Sequence, residues 1–101
     1  MTETQLEEIF EQHSDEYLKF ERIENPKHSR PDLCAMLMIS EIQSRHYPEK
    51  RIFRMISGAE HDEIFFDVDI EDIAEYSSKK EIVDLIRCGI RFEDGHFAMF
   101  V

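Results

Sequence analysis

The chain has 101 residues, enough for one compact domain and too few for two separate cores. Its 42% hydrophobic content, with eight Phe and three Tyr, argues against disorder despite 35% charged residues, and no run approaches the roughly 18 apolar residues of a membrane span. A formal charge of -11 repels nucleic-acid phosphates and anionic membrane surfaces and favours basic partners.

The charge is unevenly placed. Residues 1–24 hold eight acids and two bases, and residues 59–76 hold eight acids and no base. Residues 25–58 reverse this with six bases against three acids, and residues 77–101 balance at four each. The acidic opening MTETQLEEIF lacks the basic start and apolar stretch of a secretory signal. Cys34 and Cys88 are too few for a disulfide framework and sit in apolar helical segments, where a reduced buried thiol is the ordinary state. The expected compartment is the cytoplasm.

From Thr4, the residues Leu6, Ile9, Phe10, His13, Tyr17 and Phe20 recur at steps of three and four. That spacing predicts a helix with its carboxylates largely outside the apolar stripe, stopped by Asn25-Pro26 and open to a break near His13 if Ser14 restarts it. His13, on the stripe, reads as a core histidine rather than a ligand.

Ser29-Arg30-Pro31-Asp32 predicts a second helix start, which makes Asp32 a helix-start residue rather than a catalytic one. The run Leu33 to Ile39 is apolar on nearly every side, so this helix is expected to be buried all round or partly at a subunit interface, and to end around Gln43. Arg45, Lys50, Arg51 and Arg54, with His46, Tyr47 and Phe53 interleaved, form the only basic cluster. Such a pattern can track nucleic acid, but the overall charge favours a solvated loop or an internal partner for carboxylates. Ile52 to Ile56 is expected to be a strand, followed by Ser57-Gly58.

The densest acidic stretch is Glu60 to Asp72. Ile64, Phe66, Val68 and Ile70 alternate with Glu63, Phe65, Asp67 and Asp69, as on a strand with one apolar and one mostly acidic face. Four readings compete for it. His61, Glu63 and Asp67 are weak candidates for a divalent metal site, without a calcium-loop glycine or a close histidine pair. General acid–base work by paired carboxylates would need one raised pKa in an apolar cleft. Glu60, Asp62, Glu63, Asp67 and Glu71 are the candidates for recognition of a basic partner. The plainest reading is a solvated sheet face on which Asp69 caps the next helix, with Asp72 three residues on.

Ile70, Ile73 and Ala74 predict a short helix ending near Tyr76, and Ser78-Lys79-Lys80-Glu81 is a capping box for another, closed by Gly89. Cys88, in its last turn, reads as a structural cysteine. Asp94-Gly95 predicts a two-residue hairpin that pairs Glu93 with His96, Phe92 with Phe97 and Arg91 with Ala98. Gly58, Gly89 and Gly95 all fit turn or cap positions, with no phosphate-binding loop or nucleophile elbow among them. The scattered His28, His46, His61 and His96 have no zinc spacing.

Together these elements predict one α+β domain over residues 1–101. Its N-terminal helices would pack on one face of an antiparallel sheet of about four strands, with a hairpin at about 51–69 and two short helices before the C-terminal hairpin. The uncharged segment Phe97 to Val101 is expected either inside the sheet or covered by a second subunit, and exposed Phe65 and Phe100 favour a homodimer. The expected function is a small, non-enzymatic acidic binding protein without a cofactor. It would inhibit or regulate a basic nuclease or other DNA-binding protein through the carboxylates of 60–72 and the acidic first helix. It would contact neither nucleic acid directly nor a membrane. The alternatives are a metal-dependent hydrolase using His61, Glu63 and Asp67, and a structural or assembly subunit.

Overall fold

A computed structural model describes residues 1–46 and 55–100. Helix α1 spans Glu3–Gln12. Thr2 caps it by accepting the Gln5 N–H at 3.2 Å, while the Gln5 side chain accepts the Thr2 N–H at 2.8 Å. The helix stops at His13, well short of Asn25, and the chain continues through two short 3-10 turns, Ser14–Glu16 and Phe20–Arg22. A second departure from the helical path lies between the turns. Leu18 takes a left-handed φ of 63° and gives its N–H to the Ile86 carbonyl at 3.3 Å, a bond that a continuous helix would forbid.

Helix α2 runs Pro31–His46, about a turn beyond the expected end. Cys34, Ala35, Met38, Ile39 and Ile42 are buried, but Leu37 is 46% exposed and Leu33 and Met36 are half-buried. The expectation of burial all round is therefore corrected: the helix keeps one partly open side.

Strands β1 (Ile56–Glu60) and β2 (Glu63–Phe66) form an antiparallel hairpin whose turn is His61-Asp62, with His61 at φ 55°. Two expectations change here. Gly58 is not a turn residue; it sits inside β1, where the register against β2 shifts between Ile56 and Gly58. The second strand ends at Phe66, so the alternation from Ile64 to Ile70 is half strand and half helix start. The expected strand residues 51–54 lie outside the described residues.

Helix α3 (Ile70–Tyr76) is capped by Asp69, whose carboxylate accepts the N–H groups of Glu71 and Asp72. Helix α4 (Lys79–Cys88) begins with the Ser78–Glu81 capping box and ends at Gly89 with φ 104°. Strands β3 (Arg91–Glu93) and β4 (His96–Phe100) form the C-terminal hairpin in the predicted register. Asp94 and Gly95 both take positive φ, 50° and 78°, as a turn matching strand twist demands.

The sheet order is β1-β2-β4-β3. β4 is thus interior, so its uncharged edges are satisfied within the chain and need no second subunit. Ile64, Phe66, Phe97 and Met99 form the covered face and join Leu6, Ile9, Ile39, Ile73, Ile82 and Leu85 from the helices in one core. Each such side chain stabilises the fold by roughly 1.5–3 kcal/mol relative to exposure. The architecture is α+β, with four α-helices and a four-stranded antiparallel sheet among the described residues. No helix among the described residues is long and apolar enough to cross a membrane.

Candidate interaction surface

Most of the described cations are paired with carboxylates of the same chain. Of the nine lysines and arginines in the described residues, seven sit in ion pairs, and only Lys19 and Lys79 stand outside them. Arg45 on α2 places both terminal nitrogens 2.8 Å from the Glu81 carboxylate on α4, donates to the Tyr76 carbonyl at 2.8 Å, and reaches Glu41 at 3.4 Å. Arg87 on α4 bridges Glu16 and Asp84 at 2.9 Å each, which offsets the burial of Asp84. Of the basic cluster, Arg45 is thus paired within the chain although exposed; Lys50, Arg51 and Arg54 lie outside the described residues.

These contacts set the acid–base behaviour of the carboxylates involved. Hydrogen bonding from Arg45 holds Glu81 below the ordinary carboxylate range, Arg87 does the same for Glu16, and Lys27 for Glu41. Burial, with Cys34 close by, pushes the Cys88 thiol upward, which suits an inert core cysteine rather than a nucleophile.

The five predicted partner-binding acids do not form one face. Glu60 and Asp62 are exposed at the turn end of the β1–β2 hairpin. Asp67 and Glu71 are exposed beyond the other end of β2. Five residues of extended chain separate Asp62 from Asp67, about 16 Å at strand rise. Glu63, between them, is bound to the Arg91 guanidinium across β4. Because the strand stops at Phe66 and Asp69 is occupied as a helix cap, the expectation that Glu63, Asp67 and Asp69 share a strand face is corrected.

The metal candidates fare similarly. His61 is in the turn, Glu63 is tied to Arg91, and Asp67 lies past the strand end. Among the described residues no three His, Cys, Asp or Glu side chains converge as metal ligands would. His13 is half-buried at the end of α1, and His96 faces Glu93 across the hairpin on the exposed side.

On the open face of the sheet, Arg91 is the organising side chain. Its guanidinium also pairs with Glu93 at 2.5 Å and lies 4.0 Å from the centre of the Phe100 ring. Ala98, flanked by Arg91 on β3 and Phe65 on β2, is 1% exposed although it points away from the core. Phe65 itself is half-buried, while Phe100 remains 58% exposed, so only the second of the two expected open rings is fully so.

The feature that sequence reasoning missed is a cleft of about 380 Å³ between α1, the Ser14–Glu16 turn, the end of α4 and β3. Half-buried Phe10, Phe92 and Tyr17 supply most of its apolar surface, over the buried Ile86 and Ile90, and Ser14 also lines it. The Phe10 ring lies 5.7 Å from those of both Phe92 and Phe97, tilted against each. Glu7 and Glu11, four residues apart on α1, line it with exposed carboxylates that pair with no described cation. The signal for it was partly visible as aromatic residues and glutamates on adjoining faces of the first helix. The turn that folds Tyr17 back towards α4 was not.

No protein-family model matches this chain, and neither the curated proteins nor the solved structures yield a match to it.

Proposed function

We propose that this is an acidic, non-enzymatic binding protein that engages a basic protein partner, and that inhibition or regulation of a nuclease or other DNA-binding protein is the role its charge suits. The observation that carries the reading is the division of labour among its charges. Arg45, Arg87 and Arg91 are paired within the chain with Glu81, Glu16, Asp84, Glu63 and Glu93. Exposed Glu7, Glu8, Glu11, Glu60, Asp62, Glu71 and Glu75 remain facing solvent. A surface of one sign steers an oppositely charged partner and fixes its orientation. Its carboxylates would occupy sites on that partner that otherwise take phosphates.

The test is capture from the native host on immobilised protein at 0.05 and 0.5 M salt, with the bound proteins identified by mass spectrometry and the interaction then titrated with purified components. The expected partner is basic and is released at the higher salt, where screening falls to roughly 4 Å. Retention of the same partners at 0.5 M salt, or a captured set without excess positive charge, removes the proposal.

A further inference from the structure

We infer that the cleft beside β3 is the part of this surface that reads an individual side chain: it takes an arginine or lysine presented by an extended segment of the partner, with the segment's backbone pairing to the open edge of β3. The inference rests on the basic-partner reading and narrows it to one place.

Three observations converge there. First, the cleft is apolar at its base and acidic at its rim. Phe10, Phe92 and Tyr17 suit the methylene stem of a long cationic side chain, and Glu7 and Glu11 suit its charged head. Ring faces beside the cation add to the attraction. Second, the charges around the cleft favour a cation on balance. Arg91 lines it too, but its charge is already met by Glu63 and Glu93, and Arg87 on α4 is met by Glu16 and Asp84. Glu7 and Glu11 have no such partner among the described residues. A volume of about 380 Å³ lies within the roughly 300–1,000 Å³ range of ligand clefts, at its small end.

Third, the adjoining strand is an open edge, which commits the site to a polypeptide. Among the described residues β3 is the last strand of the sheet. In a two-residue hairpin the pair flanking the turn, here Glu93 and His96, exchanges both hydrogen bonds, and the next pair does not. Phe92 therefore turns its N–H and C=O away from β4, on the strand that lines the cleft. A bound segment that bonds to Phe92 gains main-chain register, and the cleft then selects one of its side chains.

The test uses the blocked pentapeptide acetyl-Thr-Val-Arg-Val-Thr-amide, its Arg→Leu counterpart, and 15N-labelled protein at low salt. The expected result is a set of amide shifts confined to residues 7–17 and 86–93, with the Phe92 amide among the most affected. Affinity should fall about tenfold for the leucine peptide and for Glu7→Gln/Glu11→Gln. Both substituted positions are exposed, and unchanged thermal melting of the variant confirms an intact fold. Equal binding of the two peptides, shifts centred on residues 60–75, or no shifts at all would each overturn the site. Partner capture separates its failure from that of the broader reading. If salt-sensitive capture survives Glu7→Gln/Glu11→Gln but not Glu60→Gln/Asp62→Asn/Glu71→Gln, the basic-partner reading stands without this cleft.

Discussion

Arg91 on β3 reaches past β4 to the carboxylate of Glu63 on β2, so one guanidinium ties together three strands on the open face of the sheet. The same side chain holds Glu93 and covers Ala98. Replacing it by Met keeps much of the stem and leaves Glu63 and Glu93 without a described cation. The expected cost in urea unfolding is about 1–2 kcal/mol. Adding Glu63→Leu to Arg91→Met should recover part of the loss, because it removes the stranded carboxylate. Additive losses in the double variant would show that the pair is not coupled.

Gly89 and Gly58 should respond oppositely to alanine. Gly89 has φ 104°, and an added Cβ would lie 2.9 Å from a Leu18 methyl. The Leu18 side chain is exposed and its methyl can shift, so the positive φ carries most of the cost. Gly89→Ala is expected to lower stability by about 1–2 kcal/mol. Gly58 has no such φ, and the nearest atom to its added Cβ is a Phe65 ring carbon at 4.0 Å, so Gly58→Ala should be neutral or slightly stabilising. Equilibrium denaturation of the two variants side by side decides the matter.

Acid should weaken the α2–α4 junction through Glu81. Arg45 depresses the Glu81 pKa below its ordinary 4.5, so the folded state binds that proton less readily than the unfolded state. The stabilisation is complete above pH 4.5 and is lost as pH falls through the lower folded value. Glu81→Gln retains an oxygen for the Ser78 N–H but no charge for Arg45. The variant should be less stable than the parent at pH 7 by about 1 kcal/mol, with the gap closing on acidification below 4.5. Melting temperatures between pH 3 and 7 measure this, and parallel curves for the two proteins would contradict it.

Phe10→Ala tests the floor of the cleft. The ring packs against both Phe92 and Phe97 and is only half-buried, so a cost of about 2–3 kcal/mol is expected, near the lower end for aromatic truncation. A loss below about 0.5 kcal/mol would mean that α1 is held to the sheet by other contacts.

Local chemistry made much of the fold legible. The Ser78–Glu81 box, the Asp69 cap, the Gly89 cap and the Asp94-Gly95 turn are each determined within a few residues, and all four occur as expected. The errors lie where a distant contact overrides a local pattern. The periodicity through Phe20 suggested a helix to Asn25, open to a break near His13, and the break is what occurs, whereas the left-handed turn at Leu18 with its bond to Ile86 was not readable locally. Alternation through Ile70 looked like one strand because inward apolar residues satisfy both a strand and the start of α3. The acids of 60–72 were visible as charge, whereas the capture of Glu63 by Arg91 depends on strand order, which no local pattern encodes. The cleft was hidden for the same reason, since it is assembled from α1, α4 and β3.

The placement of β4 between β2 and β3 also bears on how the protein reaches its folded state. Each hairpin can form from neighbouring residues in microseconds, but the β2–β4 seam must wait until α3 and α4 have been accommodated between them. Docking of the two hairpins is therefore expected to limit the rate, which refolding kinetics of seam and turn variants would check. Changes at Ile64 and Met99, which face each other across that seam, should slow refolding more than changes within either turn.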